Sequence, residues 1–197
     1  MHPSVAALLI SSALYCVALS APAADTPQEV TIPVGPYQLH GCFWASRGAW
    51  LKEQGWVDAQ RMAMTGISFG GIQTLLTAEK GLGIRAFVAF APAAQSWNPV
   101  LAERLKQAVR QAQAPILIIQ AQNDYSVEPG EVLGVELRKK GFPNAAKIYP
   151  PFGTSAQDGH WGFGARRDGI AVWALDVKAF LDATVRGERS VGASYAF

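Results

Sequence analysis

The sequence predicts an α/β fold on a mostly parallel sheet, and three observations carry that prediction. Short, almost wholly apolar runs such as "IRAFVAFAPA" and "APILIIQAQ" read as strands buried on both faces. Segments with apolar residues at helical spacing alternate with these runs, which is the pattern of the α/β class. The 197 residues, half of them hydrophobic and 16% charged, suit one domain with a substantial core.

Taken in order, the first 23 residues read as an export signal, with a single domain over 24–197. Val5 to Leu19 is apolar and uncharged, and Ala21-Pro22-Ala23 supplies small residues at the spacing a signal peptidase accepts. His2 stands where a basic residue is usual. The run is too short for a comfortable membrane span, so a periplasmic or secreted protein with no stable span after cleavage is expected, with an uncleaved anchor as the plainer alternative. Cys16 falls within this signal, which leaves Cys42 alone and unable to form an internal disulfide.

The stretch Glu29 to Ala45 reads as two short strands around a Gly35-Pro36 turn. A helix is expected from Arg47 to about Gln54, stopped by Gly55. "RMAMTGI" is a short apolar strand, followed by a helix from about Gly70 to Lys80 that Gly81 and Gly83 end. After "IRAFVAFAPA", Asn98-Pro99 makes a helix start, and Leu101, Leu105, Ala108 and Ala112 line one helix face. Ala114 to Gln122 is the next buried strand, then a helix from Pro129 to Lys140 and a last strand in "AAKIYPPF". Asp168 is expected to cap the final helix, which carries Ile170, Trp173, Val177, Phe180 and Leu181.

The formal charge of +2 comes from 17 basic and 15 acidic residues spread along the chain. Without a basic block, nucleic acid and anionic membrane surfaces fit poorly as partners. Chemistry in such a sheet is expected at the carboxyl ends of the strands.

The stretch "TGISFGGIQTLL" places Ser68 between Gly66 and Gly70, a G-x-S-x-G pattern between a strand and a helix. The sharp turn would lift the hydroxyl out at the sheet edge and aim the Phe69 N–H at a developing oxyanion. A loop serine among glycines is the plainer alternative. A serine hydroxyl needs a base to become a nucleophile. Outside the signal the histidines are His40 and His160, and His160 stands in the Gly-rich "SAQDGHWGFGAR" after the last strand. For the orienting carboxylate, Asp124 follows directly on a buried strand. Glu128 lies further from the strand end, and Asp158, close to His160, is expected to shape that loop. Ser68, Asp124 and His160 follow in the order of an α/β-hydrolase triad. Trp97, Tyr125 and Trp161 are candidates for a substrate pocket, whereas Trp50, Trp56 and Trp173 read as core.

With "WVDAQRMAMTGISFGG", "FVAFAPA", "PILIIQAQNDYSVEP" and "GHWGF", the chain resembles the dienelactone hydrolase family of the α/β-hydrolase superfamily. The resemblance implies a nucleophile at Ser68, an acid at Asp124 and a base at His160. It implies hydrolysis of a small-molecule ester or lactone through an acyl-enzyme, with no metal or organic cofactor. Some members use cysteine as nucleophile; serine here points toward the esterase-like relatives. The pattern departs from the family before the elbow, where no room is left for a βαβ unit and its oxyanion loop. "LHGCF" resembles such a loop but lies in the opening strand pair. A shortened, catalytically impaired or non-catalytic relative is therefore the alternative reading, and a peptidase has less support. The sequence does not fix the oligomeric state.

Overall fold

The computed structural model describes residues 9–11, 28–34, 37–43, 52–53 and 55–187. Its main sheet has five parallel strands in the order β1-β4-β5-β6-β7. These are β1 (Leu9–Ser11), β4 (Ala63–Ile67), β5 (Ala86–Phe90), β6 (Ile116–Ala121) and β7 (Ala145–Tyr149). Between β1 and β4 in sequence, β2 (Gln28–Val34) and β3 (Tyr37–Phe43) form a separate antiparallel pair. Leu9–Ser11, within the stretch read as an export signal, lies along the outer side of β4. From β4 to β7 each strand pairs with the next in sequence, so successive crossovers lay the sheet down in one direction.

Those crossovers are helices α1 (Phe69–Ala78), α2 (Pro99–Gln111) and α3 (Glu128–Lys140). A fourth helix, α4 (Arg167–Leu181), ends the described part of the domain apart from a short π-helical turn. The apolar strands fill both faces because successive side chains point to opposite sides. Phe87, Ala89, Ile116 and Ile118 face the cluster built with Leu75 of α1, Leu101 and Leu105 of α2, and Leu133 and Leu137 of α3. Val88, Phe90, Leu117 and Ile119 face the opposite way, onto Phe163 and onto Val177 and Phe180 of α4.

The start of α2 follows its sequence signal: Asn98 Oδ1 accepts from the backbone N–H groups of Val100 and Leu101 at 3.0 and 3.1 Å. Pro99 then needs no partner for an N–H it lacks. The start of α4 departs from expectation. Asp168 does not cap it; Arg166 holds the cap position, and Asp168 sits in the first turn, paired with the Arg166 guanidinium at 2.6 Å. An acid in a first turn favours the helix through its dipole without occupying the cap.

Trp56 also departs from expectation. It is 64% exposed, because a turn before β4 holds it at the surface instead of on a packed element. Trp173 does pack: its ring lies 4.6 Å from that of Phe90, and Nε1 donates to the Phe163 carbonyl at 2.9 Å. Trp50 lies outside the described residues. "LHGCF" falls within β3, paired in regular antiparallel register with β2. Among the described residues no helix is long and apolar enough to cross a membrane.

Candidate active site

At the carboxyl end of β4 the chain turns directly into α1, and Ser68 stands on the turn with φ 58° and ψ −116°. A non-glycine residue in this region is strained, and such strain persists only where surrounding structure enforces it. The enforcing contacts are visible. The Ser68 N–H donates to the Phe90 carbonyl at 2.9 Å, and its own carbonyl accepts from Ile72 at 3.1 Å. A Cβ on Gly66 would come within 2.2 Å of the Gly70 carbonyl oxygen, so only glycine fits there. Phe69 opens α1, and its N–H belongs to the first turn, whose N–H groups have no intrahelical acceptor.

Asp124 lies just beyond β6, on a turn closed by its N–H to the Ala121 carbonyl at 3.2 Å. Its carboxylate is fully buried and meets three donors. Oδ1 accepts from the Tyr125 N–H and lies 2.7 Å from His160 Nδ1, while Oδ2 accepts from Gln120 Nε2 at 2.9 Å.

His160 was expected in a Gly-rich loop; in the structure it stands in a π-helical turn, Asp158–Gly162. Single π turns are uncommon and recur at functional sites. Asp158 builds this one from upstream, its Oδ2 accepting from the N–H groups of Thr154 and Ser155 and from the Ser155 hydroxyl. These donors, with Arg166 on Oδ1, hold the Asp158 carboxyl below its ordinary range. Asn123 clamps the same segment to β6, accepting from the Phe152 N–H and donating to the Phe152 and Ser155 carbonyls. Gly159 then passes so close that a Cβ there would lie 2.6 Å from Asn123 Oδ1 and 2.7 Å from its backbone.

The outcome is a continuous hydrogen-bonded chain. Asp124 Oδ1 lies 2.7 Å from His160 Nδ1, and His160 Nε2 lies 2.8 Å from Ser68 Oγ. The imidazole is 5% exposed, so water has little access to the link. With Nδ1 protonated and bound to the carboxylate, Nε2 presents a lone pair to the serine hydroxyl, as removal of its proton requires. Tyr125 stands beside this chain, its ring edge-on to the imidazole at 5.3 Å between centroids and 46% exposed. Trp161 is 52% exposed next to His160, whereas Trp97 packs part-buried against the cluster of α1, α2 and α3. Glu128, the rival carboxylate, opens α3. Among the described residues no group of three or more His, Cys, Asp or Glu is placed to hold a metal ion.

Two residues of this site were not anticipated. Gln120 is the one polar residue in the buried strand "ILIIQA", and that isolation is the signal that could have marked it. Asn123 precedes Asp124 in a turn-forming context, where a side chain that clamps a distant loop looks like any other turn residue.

The dienelactone hydrolase family model matches residues 42–158, more than half of the chain. The chain belongs to the dienelactone hydrolase family. The matched span includes Ser68 and Asp124 and stops two residues before His160. Among curated protein sequences there is no match.

Solved structures share the fold. A puromycin-hydrolyzing peptidase from Mycobacterium tuberculosis superposes with a TM-score of 0.56 at 21% identity, over 71% of this chain and 24% of its own. A Klebsiella pneumoniae protein provisionally named a dienelactone hydrolase gives 0.52 at 18%, over 68% and 57%. An esterase from Pyrococcus furiosus gives 0.52 at 14%, over 72% and 60%. This family member therefore has the α/β-hydrolase fold, and it spans less than two thirds of each of these structures.

Proposed function

We propose that this chain is an exported serine hydrolase that cleaves a carboxylic ester or related acyl bond of a small molecule through an acyl-enzyme. The observation that carries the reading is the unbroken link from Asp124 through His160 to Ser68, with Ser68 on a strained strand-to-helix turn. Ser68 Oγ attacks the acyl carbon while His160 Nε2 takes the hydroxyl proton. Asp124 holds the ring by Nδ1 and stabilises the imidazolium. The Phe69 N–H, at the positive end of α1, faces the oxygen on which negative charge develops. Collapse of the tetrahedral intermediate expels the alcohol, protonated by His160, and leaves Ser68 acylated. Water then attacks the ester, giving its proton to the same nitrogen, and the carboxylic acid departs.

The test is covalent labelling with a fluorophosphonate probe. Ser68 is expected to be labelled, with the label lost in Ser68→Ala. Labelling that persists in Ser68→Ala removes Ser68 from the role. A panel of esters, lactones and peptides then identifies the bond cleaved.

A second reading has its own support: the chain spans 57% and 60% of the two esterase-like structures above. A chain without the loop that supplies a second oxyanion donor would turn over slowly, by a factor of about 10²–10³ per donor. Ester turnover dependent on both Ser68 and His160 separates a working enzyme from a non-catalytic relative. Export rests on the apolar run Val5 to Leu19 and the small residues after it.

A further inference from the structure

Gln120 is fully buried in β6, on the sheet face it shares with Ile116 and Ile118, which looks toward α3. An amide there displaces what could be another apolar side chain, and its partners show what it does. Nε2 donates to Asp124 Oδ2 at 2.9 Å and to the Ser126 carbonyl at 2.6 Å. Both neighbours are acceptors only, so the NH₂ group must face them; a flipped amide would set oxygen against oxygen. The other end, Oε1, is buried with no hydrogen-bond partner. It points at Gly130 on α3, where a Cβ would come within 2.7 Å of it. An unsatisfied buried acceptor is costly. The amide is therefore poorly explained as a contribution to the core and well explained by the group it holds.

We propose that Gln120 is a positioning residue for the Asp124–His160 pair. Its two bonds fix the plane of the Asp124 carboxylate and the turn that carries it. Oδ1 then stays aimed at His160 Nδ1 instead of rotating about Cβ–Cγ. The Tyr125 N–H anchors Oδ1 alone and cannot set that plane by itself. Gly130 leaves room for the amide to lie in this orientation. The role assigned to the pair rests on the serine hydrolase reading; the geometry of the hold does not.

The test uses the full chain and two independent readouts. Gln120→Met keeps the side chain's length and removes both donors. Gly130→Ala leaves Gln120 in place and drives a methyl group against Oε1. The first readout is the low-field proton resonance of His160 Nδ1–H, assigned by its loss in His160→Gln. The second is turnover of p-nitrophenyl acetate. In Gln120→Met the resonance is expected to broaden into the solvent signal. kcat is expected to fall about tenfold, with KM changed less than twofold, the loss typical of one hydrogen bond to a charged group. Gly130→Ala is expected to move both readouts the same way, and it carries the test if Gln120→Met fails to fold. An unchanged resonance in a folded variant overturns the proposal, as does a wild-type chain without that resonance. Wild-type protein that shows the resonance, loses it in the variant and turns over no ester would support Gln120 as positioner and sink the hydrolase reading.

Discussion

The decisive contacts of this protein are made by side chains only a few atoms across. His160 reaches both of its partners because Gly159 lets the π-helical turn lie directly on Asn123. Gly159→Ala is therefore expected to push the imidazole away while leaving the sheet intact. Displacement of about 1 Å costs on the order of 10²-fold in rate. Circular dichroism unchanged from wild type, with fluorophosphonate labelling of Ser68 slowed by that factor, is the expected result; labelling at the wild-type rate would show that the turn has slack. The residues in this chain were legible in unequal degree. Ser68, Asp124 and His160 stand out in sequence because the first two are reactive types at the ends of apolar strands and the third lies in the Gly-rich stretch after the last strand. Gln120 and Asn123 do not, because their importance lies in what they touch, 4 residues away for Gln120 and about 30 for Asn123. Trp56 misled in the other direction: an aromatic side chain suggests burial, and nothing local reveals that a turn will hold it outward.

Elements are held to one another as specifically as the residues are. Helices α2 and α3 are tied by Glu136, whose carboxylate accepts from Arg110 Nε and Nη2 at 3.0 and 2.9 Å and from Lys139 at 3.1 Å. Arg110 foremost, then Lys139, hold the Glu136 carboxyl down to about 2 from its ordinary 4.5. A depressed carboxyl stabilises the fold fully above its unfolded pKa and loses that contribution as pH falls through the folded one. Urea midpoints of wild type and Glu136→Gln are thus expected to differ above pH 4.5 and to converge as the pH approaches about 2. A difference that stays constant with pH would mean that packing, not charge, carries the effect. The start of α2 was legible because a cap is a local device of a few consecutive residues. The start of α4 was not, since an aspartate in a first turn and one at the cap look alike in sequence. The π-helical turn could not be foreseen at all, because it depends on Asp158, Arg166 and Asn123 converging from separate segments.

On the scale of the whole molecule, the sequence made a mostly parallel sheet plain, through the continuous apolar runs of β5 and β6 that are buried on both faces, but not the strand order β4-β5-β6-β7. Nor could it show that the three residues of β1 pair with the edge of β4, drawn from the stretch whose composition reads as an export signal; removal of that stretch would leave this edge of β4 without a partner strand among the described residues. Export is checked at this scale, by mass spectrometry of protein recovered from the medium or the periplasm. A mature chain beginning at Ala24 is expected, and a chain that retains residues 1–23 would overturn the export reading. The order of the strands also has a consequence in time. Synthesis runs from β4 toward α4, so Ser68 leaves the ribosome 92 residues ahead of the histidine it bonds to. Over that interval the nascent chain carries Ser68 without the imidazole it meets in the folded structure, and the Asp124–His160–Ser68 link closes only when the π-helical turn docks.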